Sequence, residues 1–185
     1  MMQRIFYESK LEAGDGKPFE EWAERHFGIS LPDDFLFFVQ TNGIGADPIP
    51  CQSDGKIGMD RMKIEEFYGC FPPEDQQSIQ SQTAKAAAND RISHDILIFA
   101  YGGGGHLKFT LAVNGPHRGK VFAFVDSGVY LEGDQIRLKN GALHLADTFS
   151  GFIDGLYADA DYIDDWEDAA GYLPDEIKEK FGSGL

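Results

Sequence analysis

The spacing of apolar residues changes twice along this chain, and these changes constrain the fold more than any other feature. Near the N-terminus, apolar side chains recur every three or four residues, which predicts amphipathic helices at residues 18–27 and 32–41. From residue 96 onward they alternate with polar residues or form short continuous runs, which is typical of strands. Helical spacing returns at residues 148–156. This order predicts an α+β fold in which helices pack on a mainly antiparallel sheet of six or fewer strands.

Most of the predicted sheet lies between the second helix and the last one. Residues 96–100 and 121–125 are continuously apolar, as in strands buried on both faces, whereas residues 107–113 alternate. Asn140-Gly141 predicts a β-hairpin, because this pair favours the left-handed backbone of a tight turn and short apolar runs flank it. The remaining segments are predicted as a loop at 44–60, a strand at 62–68, a polar surface helix at 73–89 with apolar Ile79 and Ala87, and a short helix at 174–181.

The length and charge of the chain narrow the classes of partner. One ordinary domain accounts for residues 1–185. A formal net charge of −15 argues against direct binding to nucleic acid or an anionic membrane, which requires clustered Lys and Arg, and favours a protein with a basic surface. We find no run of about 18 apolar residues and no signal-peptide core, so a cytoplasmic protein is expected. In that reducing compartment Cys51 and Cys70 should be free thiols.

The motifs that could support catalysis all have simpler structural interpretations. The cluster Gly102–Gly105 before His106 resembles a phosphate-binding loop, but a strand follows it instead of a helix, which favours a turn between strands. Five histidines lack the spacing of a zinc site, and Ser127 lacks the glycine that precedes a nucleophilic serine. We therefore expect no metal, no cofactor and no enzymatic activity. A phosphate-handling hydrolase that uses residues 103–106 is the remaining enzymatic alternative.

An acidic segment follows the last predicted core helix. Residues 154–168 contain seven Asp or Glu side chains and no Lys or Arg. The start of a calcium-binding loop at Asp159 is not continued, because the third ligand position and the required glycine are missing. We expect these carboxylates to assist the encounter with a basic partner, and aromatic side chains among them either to anchor that partner or to hold the segment on the domain. The predicted partner-binding residues are Tyr162, Asp164, Asp165, Trp166 and Asp168.

Several motifs occur in the order found in the SUKH superfamily, which includes the yeast cell-wall-assembly regulator and many bacterial immunity proteins. These motifs are Leu31-Pro32-Asp33-Asp34-Phe35, Ile64-x-x-Phe67-Tyr68-Gly69, Ile98-Phe99-Ala100 before the glycine cluster, Gly119-Lys120-Val121-Phe122, and Thr148-Phe149-x-x-Phe152-Ile153-x-x-Leu156. The chain resembles this family over residues 17–157, with an acidic extension at 158–185. The resemblance implies a SUKH-like, non-enzymatic domain that binds and neutralises a bacterial toxin, often a nuclease. A regulatory or scaffold protein with transient partners is the alternative.

Overall fold

A six-stranded antiparallel sheet forms the centre of the molecule. The computed structural model describes residues 17–42, 45–46, 51–57, 60–70, 75–125 and 127–158. The central sheet has the strand order β1-β4-β5-β6-β7-β10. Its strands are β1 (Gly45–Ala46), β4 (Glu66–Tyr68), β5 (Ile96–Gly102), β6 (Leu107–Ala112), β7 (Val121–Val125) and β10 (Ala142–Ala146). The predicted α+β class and the mainly antiparallel sheet are confirmed.

Four α-helices within the described residues accompany this sheet, and all four were predicted, the third with different bounds. They are α1 (Lys17–Phe27), α2 (Asp33–Asn42), α3 (Ile79–Ala88) and α4 (Phe149–Asp154). The first helix ends at Gly28, whose φ of 71° is left-handed. Asp34 joins two helices, because its carboxylate accepts a hydrogen bond from the amide of Phe35 and another, of 2.8 Å, from the amide of Ser150 at the start of α4. None of the helices among the described residues is long and apolar enough to cross a membrane.

Aromatic side chains fill the space between α2, α4 and the sheet. The rings of Phe149 and Phe35 meet edge to face at 4.9 Å, and Phe149 also contacts Phe38 at 5.0 Å and Phe99 at 5.2 Å. Phe35 and Phe149 have no exposed surface. Burial of such rings supplies a large share of the hydrophobic free energy of a domain. The regular spacing of phenylalanines in the sequence therefore reflects one continuous core.

A second, smaller sheet corrects two of our predictions. Residues 51–57, predicted as a loop, form strand β2 (Cys51–Ile57), which pairs with β3 (Asp60–Ile64) and with β11 (Tyr157–Ala158). The strand predicted at 62–68 is interrupted at Glu65, so that β3 joins the small sheet and β4 joins the central one. The loop prediction was wrong because pairing with two neighbouring strands compensates for the low intrinsic strand preference of Asp and Gly.

The Asn140-Gly141 hairpin prediction is also wrong. The strand before this pair, β9 (Gln135–Leu138), pairs with β8 (Val129–Glu132), and the strand after it, β10, pairs with β7 of the central sheet. Gly141 does adopt a left-handed φ of 88°. The pair thus forms a turn, but the two strands that it joins belong to different sheets.

Helix α3 starts later than predicted and buries a different face. It begins at Ile79, with the Ser78 hydroxyl accepting from the amide of Ser81. Its buried side chains include Ile79 and Thr83, whereas Ala87 is exposed. The Thr83 hydroxyl accepts a 3.0 Å hydrogen bond from the amide of Ile98, so this helix covers an edge of β5 that β4 leaves unpaired. The predicted 174–181 helix lies outside the described residues.

Candidate partner-binding surface

The predicted partner-binding residues Tyr162, Asp164, Asp165, Trp166 and Asp168 lie outside the described residues. Their part of the chain nevertheless accounts for much of its charge. The described residues contain 16 acidic and 12 basic side chains, so they carry only −4 of the net −15. The described residues are thus close to electrical balance, and the strong acidity predicted to attract a basic partner belongs mainly to the other residues.

The glycine cluster forms a turn between β5 and β6, as predicted. Gly102 lies so close to the small sheet that an added Cβ would sit 1.8 Å from the carbonyl oxygen of Lys63. The amide of Gly104 donates a 2.9 Å hydrogen bond to the carboxylate of Glu65. An anion-binding loop needs free amides directed at its ligand. Here a carboxylate of the chain itself accepts from the amide of Gly104, and the glycine at 102 is explained by close packing.

The other chemical candidates do not form a metal site within the described residues. Those residues contain no group of three or more His, Cys, Asp or Glu side chains that could hold a metal ion. Ser127 lies in a bend between β7 and β8. Cys70 is a free thiol, and burial raises its pKa to about 12. A protonated thiol is a poor nucleophile, and a raised pKa is typical of a cysteine buried in apolar surroundings.

A stack of aromatic rings at the surface joins α1 to the residues before β5. The ring of His26 lies between those of Trp22, at 5.1 Å, and His94, at 5.3 Å, with interplanar angles of 12° and 9°. Trp22 and His26 are half-buried, and the side chain of His94 is 66 % exposed. Burial, and then the neighbouring His94, lowers the pKa of His26. Tryptophan is enriched among residues that dominate binding energies, so this ring stack is a candidate anchor.

Helix α1 also carries three acidic side chains. Glu21 and Glu24 are exposed, and Glu20 is half-buried and accepts a hydrogen bond from Gln40. At about 100° per residue, Glu21 and Glu24 lie on other faces of the helix than Trp22 and His26. We call Trp22, His26 and His94 the α1 surface.

A second cluster lies on the central sheet, where Glu66, Tyr101 and Lys108 are neighbours across three strands. The Lys108 ammonium donates a 2.6 Å hydrogen bond to the hydroxyl of Tyr68 and lies 5.2 Å from the ring centre of Tyr101. The Tyr101 hydroxyl donates to Glu66 at 2.7 Å. Burial, and then the charges of Lys85 and Arg91, lowers the pKa of Lys108, while Glu66 acts in the opposite direction. We call Glu66, Tyr68, Tyr101 and Lys108 the lysine-tyrosine cluster.

Sequence reasoning predicted helix α1 but missed both the ring stack and the lysine-tyrosine cluster. The contact of His26 with His94 depends on packing between distant segments. The residues of the lysine-tyrosine cluster meet only through strand register across about 40 positions of the chain. The alternation of Lys108 with apolar residues was the single local sign that this lysine points away from its apolar neighbours.

The comparison with known proteins agrees with the fold and its motifs. The model of the SMI1 / KNR4 family (SUKH-1) matches residues 21–155. A search among curated proteins gave no match. The matched region runs from within α1 to the end of α4, includes the whole central sheet and covers well over half of the chain. The chain therefore belongs to the SMI1 / KNR4 (SUKH-1) family.

Proposed function

We propose that this chain is a non-enzymatic immunity protein that acts in the cytoplasm by binding and neutralising a bacterial toxin with a basic surface, such as a nuclease. Its family membership over residues 21–155 carries the proposal, because proteins of this family bind protein partners. The alternative, a regulatory or scaffold protein, shares that binding chemistry and differs in the lifetime of the complex. Tight, long-lived binding is what neutralisation requires.

The distribution of charge along the sequence favours separate roles for two parts of the chain, one in the rate of association and the other in the lifetime of the complex. Six carboxylates lie within residues 159–168 without a single Lys or Arg. Charges at a protein surface act over about 8 Å at physiological salt, and we propose that these carboxylates change the association rate more than the lifetime of the complex. Half-buried rings such as Trp22 on the α1 surface supply the apolar contact that slows dissociation. Trp166 is the corresponding aromatic residue in the acidic segment.

The test begins with capture of the partner by the full-length protein from the native organism and identification by mass spectrometry. Binding kinetics with the purified partner are then measured from 50 to 500 mM salt, as a trial range spanning Debye lengths of about 4–14 Å. Asp164→Asn/Asp165→Asn/Asp168→Asn should lower the association rate at low salt and leave the dissociation rate nearly unchanged. Trp22→Ala and Trp166→Ala should be compared for faster dissociation, by about tenfold or more at the ring that anchors the partner.

A matched control separates steering by the acidic segment from a general effect of net charge. Glu21→Gln/Glu24→Gln/Asp134→Asn removes the same number of charges from exposed positions in α1 and in the β8–β9 turn. Steering by the segment is wrong if both triple variants have the same effect on association. The neutralising role is wrong if the captured partner is not toxic, or if its complex lasts less than a second.

A further inference from the structure

Two histidines that are distant in the sequence stack face to face on the α1 surface. The rings of His26 and His94 lie 5.3 Å apart with an interplanar angle of 9°, and Trp22 stacks on the other side of His26. Phe27 meets both histidines edge to face, at 4.6 Å from the ring of His26 and 5.9 Å from that of His94. The four rings form one packed unit, and two of them can each take up a proton in mildly acidic solution.

The two histidines differ in their access to water and in their charged neighbours. The side chain of His94 is 66 % exposed, and a carboxylate oxygen of Asp95 lies 3.8 Å from its Nδ1 atom. His26 is half-buried between two rings. Burial, and then the charge of His94, lowers the pKa of His26 from its ordinary value of 6.5. Because solvent and a nearby anion favour a protonated imidazole and burial opposes it, His94 takes up its proton before His26 does.

None of the other described charged groups around the stack lies within ion-pair distance of His26. On α1 every charged side chain lies at least about 100° around the helix axis from His26; these are Lys17, Glu20, Glu21, Glu24 and Arg25. The neighbouring connections carry Asp90, Arg91 and Asp95 before β5 and Arg118 in the β6–β7 turn. Of these, Asp95 lies beside His94. Arg118 donates a 2.8 Å hydrogen bond to the carbonyl oxygen of Leu31.

We propose that the stack accommodates one proton, and that a second proton, taken up by His26 in acidic solution, separates His94 from His26 and uncovers the edge of Phe27. Two imidazolium rings 5.3 Å apart repel one another, whereas a single imidazolium is attracted to the π face of a neutral ring beside it. The same attraction holds the protonated His26 against Trp22. The side chain of His94 is therefore the one that moves.

The backbone on either side of His94 is held by hydrogen bonds to the neighbouring strands. The amide of Ser93 donates a 3.2 Å hydrogen bond to the carbonyl of Val129, and the amide of Val113 donates one of 2.8 Å to the carbonyl of Asp95. The movement is thus confined to a side chain. Phe27 is only 6 % exposed in the closed stack, so departure of the neighbouring ring adds apolar contact area to the α1 surface in acidic solution.

NMR of the full-length protein with labelled aromatic side chains tests this proposal without any partner. Nuclear Overhauser effects should connect the rings of His26 and His94 at about pH 7.5 and disappear at about pH 5, trial values on either side of the ordinary histidine pKa of about 6.5. Those between His26 and Trp22 should remain. A soluble paramagnetic probe should broaden the ring signals of Phe27 more strongly at the lower pH.

Substitutions of His94 separate repulsion between the two rings from a general effect of acid. In His94→Gln the measured pKa of His26 should rise by about 0.5, as expected when a charge 5.3 Å away is removed in a largely aqueous medium. His94→Phe keeps a ring that cannot be protonated, so the contacts of that ring with His26 and Phe27 should persist at about pH 5. The control His106→Gln removes an exposed histidine about 20 Å away at the other end of β5 and should leave the pKa of His26 unchanged.

Three results would overturn the proposal. The wild-type stack could persist with both rings protonated, or His26 could take up its proton before His94. The contacts in His94→Phe could also be lost at the same pH as in the wild type, which would assign the opening to acid unfolding of α1. Circular dichroism at each pH identifies such unfolding directly. None of these outcomes depends on a toxin, so they are separate from the test of the immunity function.

Discussion

Two positions in the turn around the end of β5 require glycine for different structural reasons. Substituting each glycine by alanine distinguishes these two reasons. Gly102 has φ −156°, which any residue adopts, but its added Cβ would lie 1.8 Å from the carbonyl oxygen of Lys63. Gly104 has φ +64° and no heavy atom within 4 Å of an added Cβ. Gly102→Ala therefore tests close packing of β3 on β5, whereas Gly104→Ala tests left-handed backbone conformation.

Gly102→Ala should lower the stability of the protein more than Gly104→Ala does. In Gly102→Ala the backbone of β3 has to move, which strains the 2.9 Å hydrogen bond between Glu65 and Tyr101. Overpacking against backbone costs about 3 kcal/mol, at the upper end of the usual range. A left-handed alanine costs about 1 kcal/mol net of the unfolded-state gain. For a chain of this size, Tm should fall by about 6–12 °C in Gly102→Ala and by about 2–4 °C in Gly104→Ala.

Calorimetry of the wild type and the two variants at one pH and one protein concentration measures these changes. Circular dichroism confirms that each variant still folds. If Gly104→Ala is as destabilising as Gly102→Ala, or if Gly102→Ala leaves Tm unchanged, the close approach of the two sheets at this position is wrong. Loss of partner binding in Gly104→Ala without loss of stability would instead assign the exposed turn to the binding surface.

Three further predictions concern stability. Phe149→Ala should cost about 3–5 kcal/mol in urea unfolding because Phe149 is fully buried, whereas Phe37→Ala, at a side chain 57 % exposed, should cost less than about 1 kcal/mol. Burial and a neighbouring histidine lower the pKa of His26 from its ordinary value of 6.5. The contribution of His26 to stability is therefore complete above pH 6.5 and is lost as the pH falls below it. Between pH 7.5 and 5.5, a trial range around the ordinary histidine pKa of about 6.5, the urea midpoint of His26→Gln should depend less on pH than that of the wild type. Glu65→Gln should lower stability by about 1 kcal/mol, because the amide of Gly104 donates to that carboxylate, and an unchanged urea midpoint would contradict this role.

The helices and the central strands could be predicted from the sequence because their signals are local. The spacing of Phe35 and Phe38, and the left-handed glycine at 28, depend only on neighbouring residues. Strand β2 could not be predicted, since its polar residues are held by pairing with β3 and β11. The Asn140-Gly141 signal correctly indicated a turn, but the partner strands depend on long-range packing.

The candidate sites were harder to predict from the sequence than the fold. Net charge indicated a basic partner, yet it did not reveal that the described residues carry only −4 of the net −15. The lysine-tyrosine cluster requires the register of β4, β5 and β6, which no short motif encodes. The basic partner thus stays a prediction from charge, whereas the lysine-tyrosine cluster could be found only from strand pairing.

The central claim is that this chain acts by binding a toxin and has no catalytic role in neutralising it. Titration of the purified partner toxin with the full-length protein, with residual toxin activity as the readout, tests this most directly. A stoichiometric mechanism predicts that activity falls linearly and ends at one molecule of this protein per toxin, and that dissociation of the complex restores it. Complete inactivation by far fewer molecules, with a chemically altered toxin, would show an enzyme, and unchanged activity at excess would show that the toxin is not neutralised by this chain.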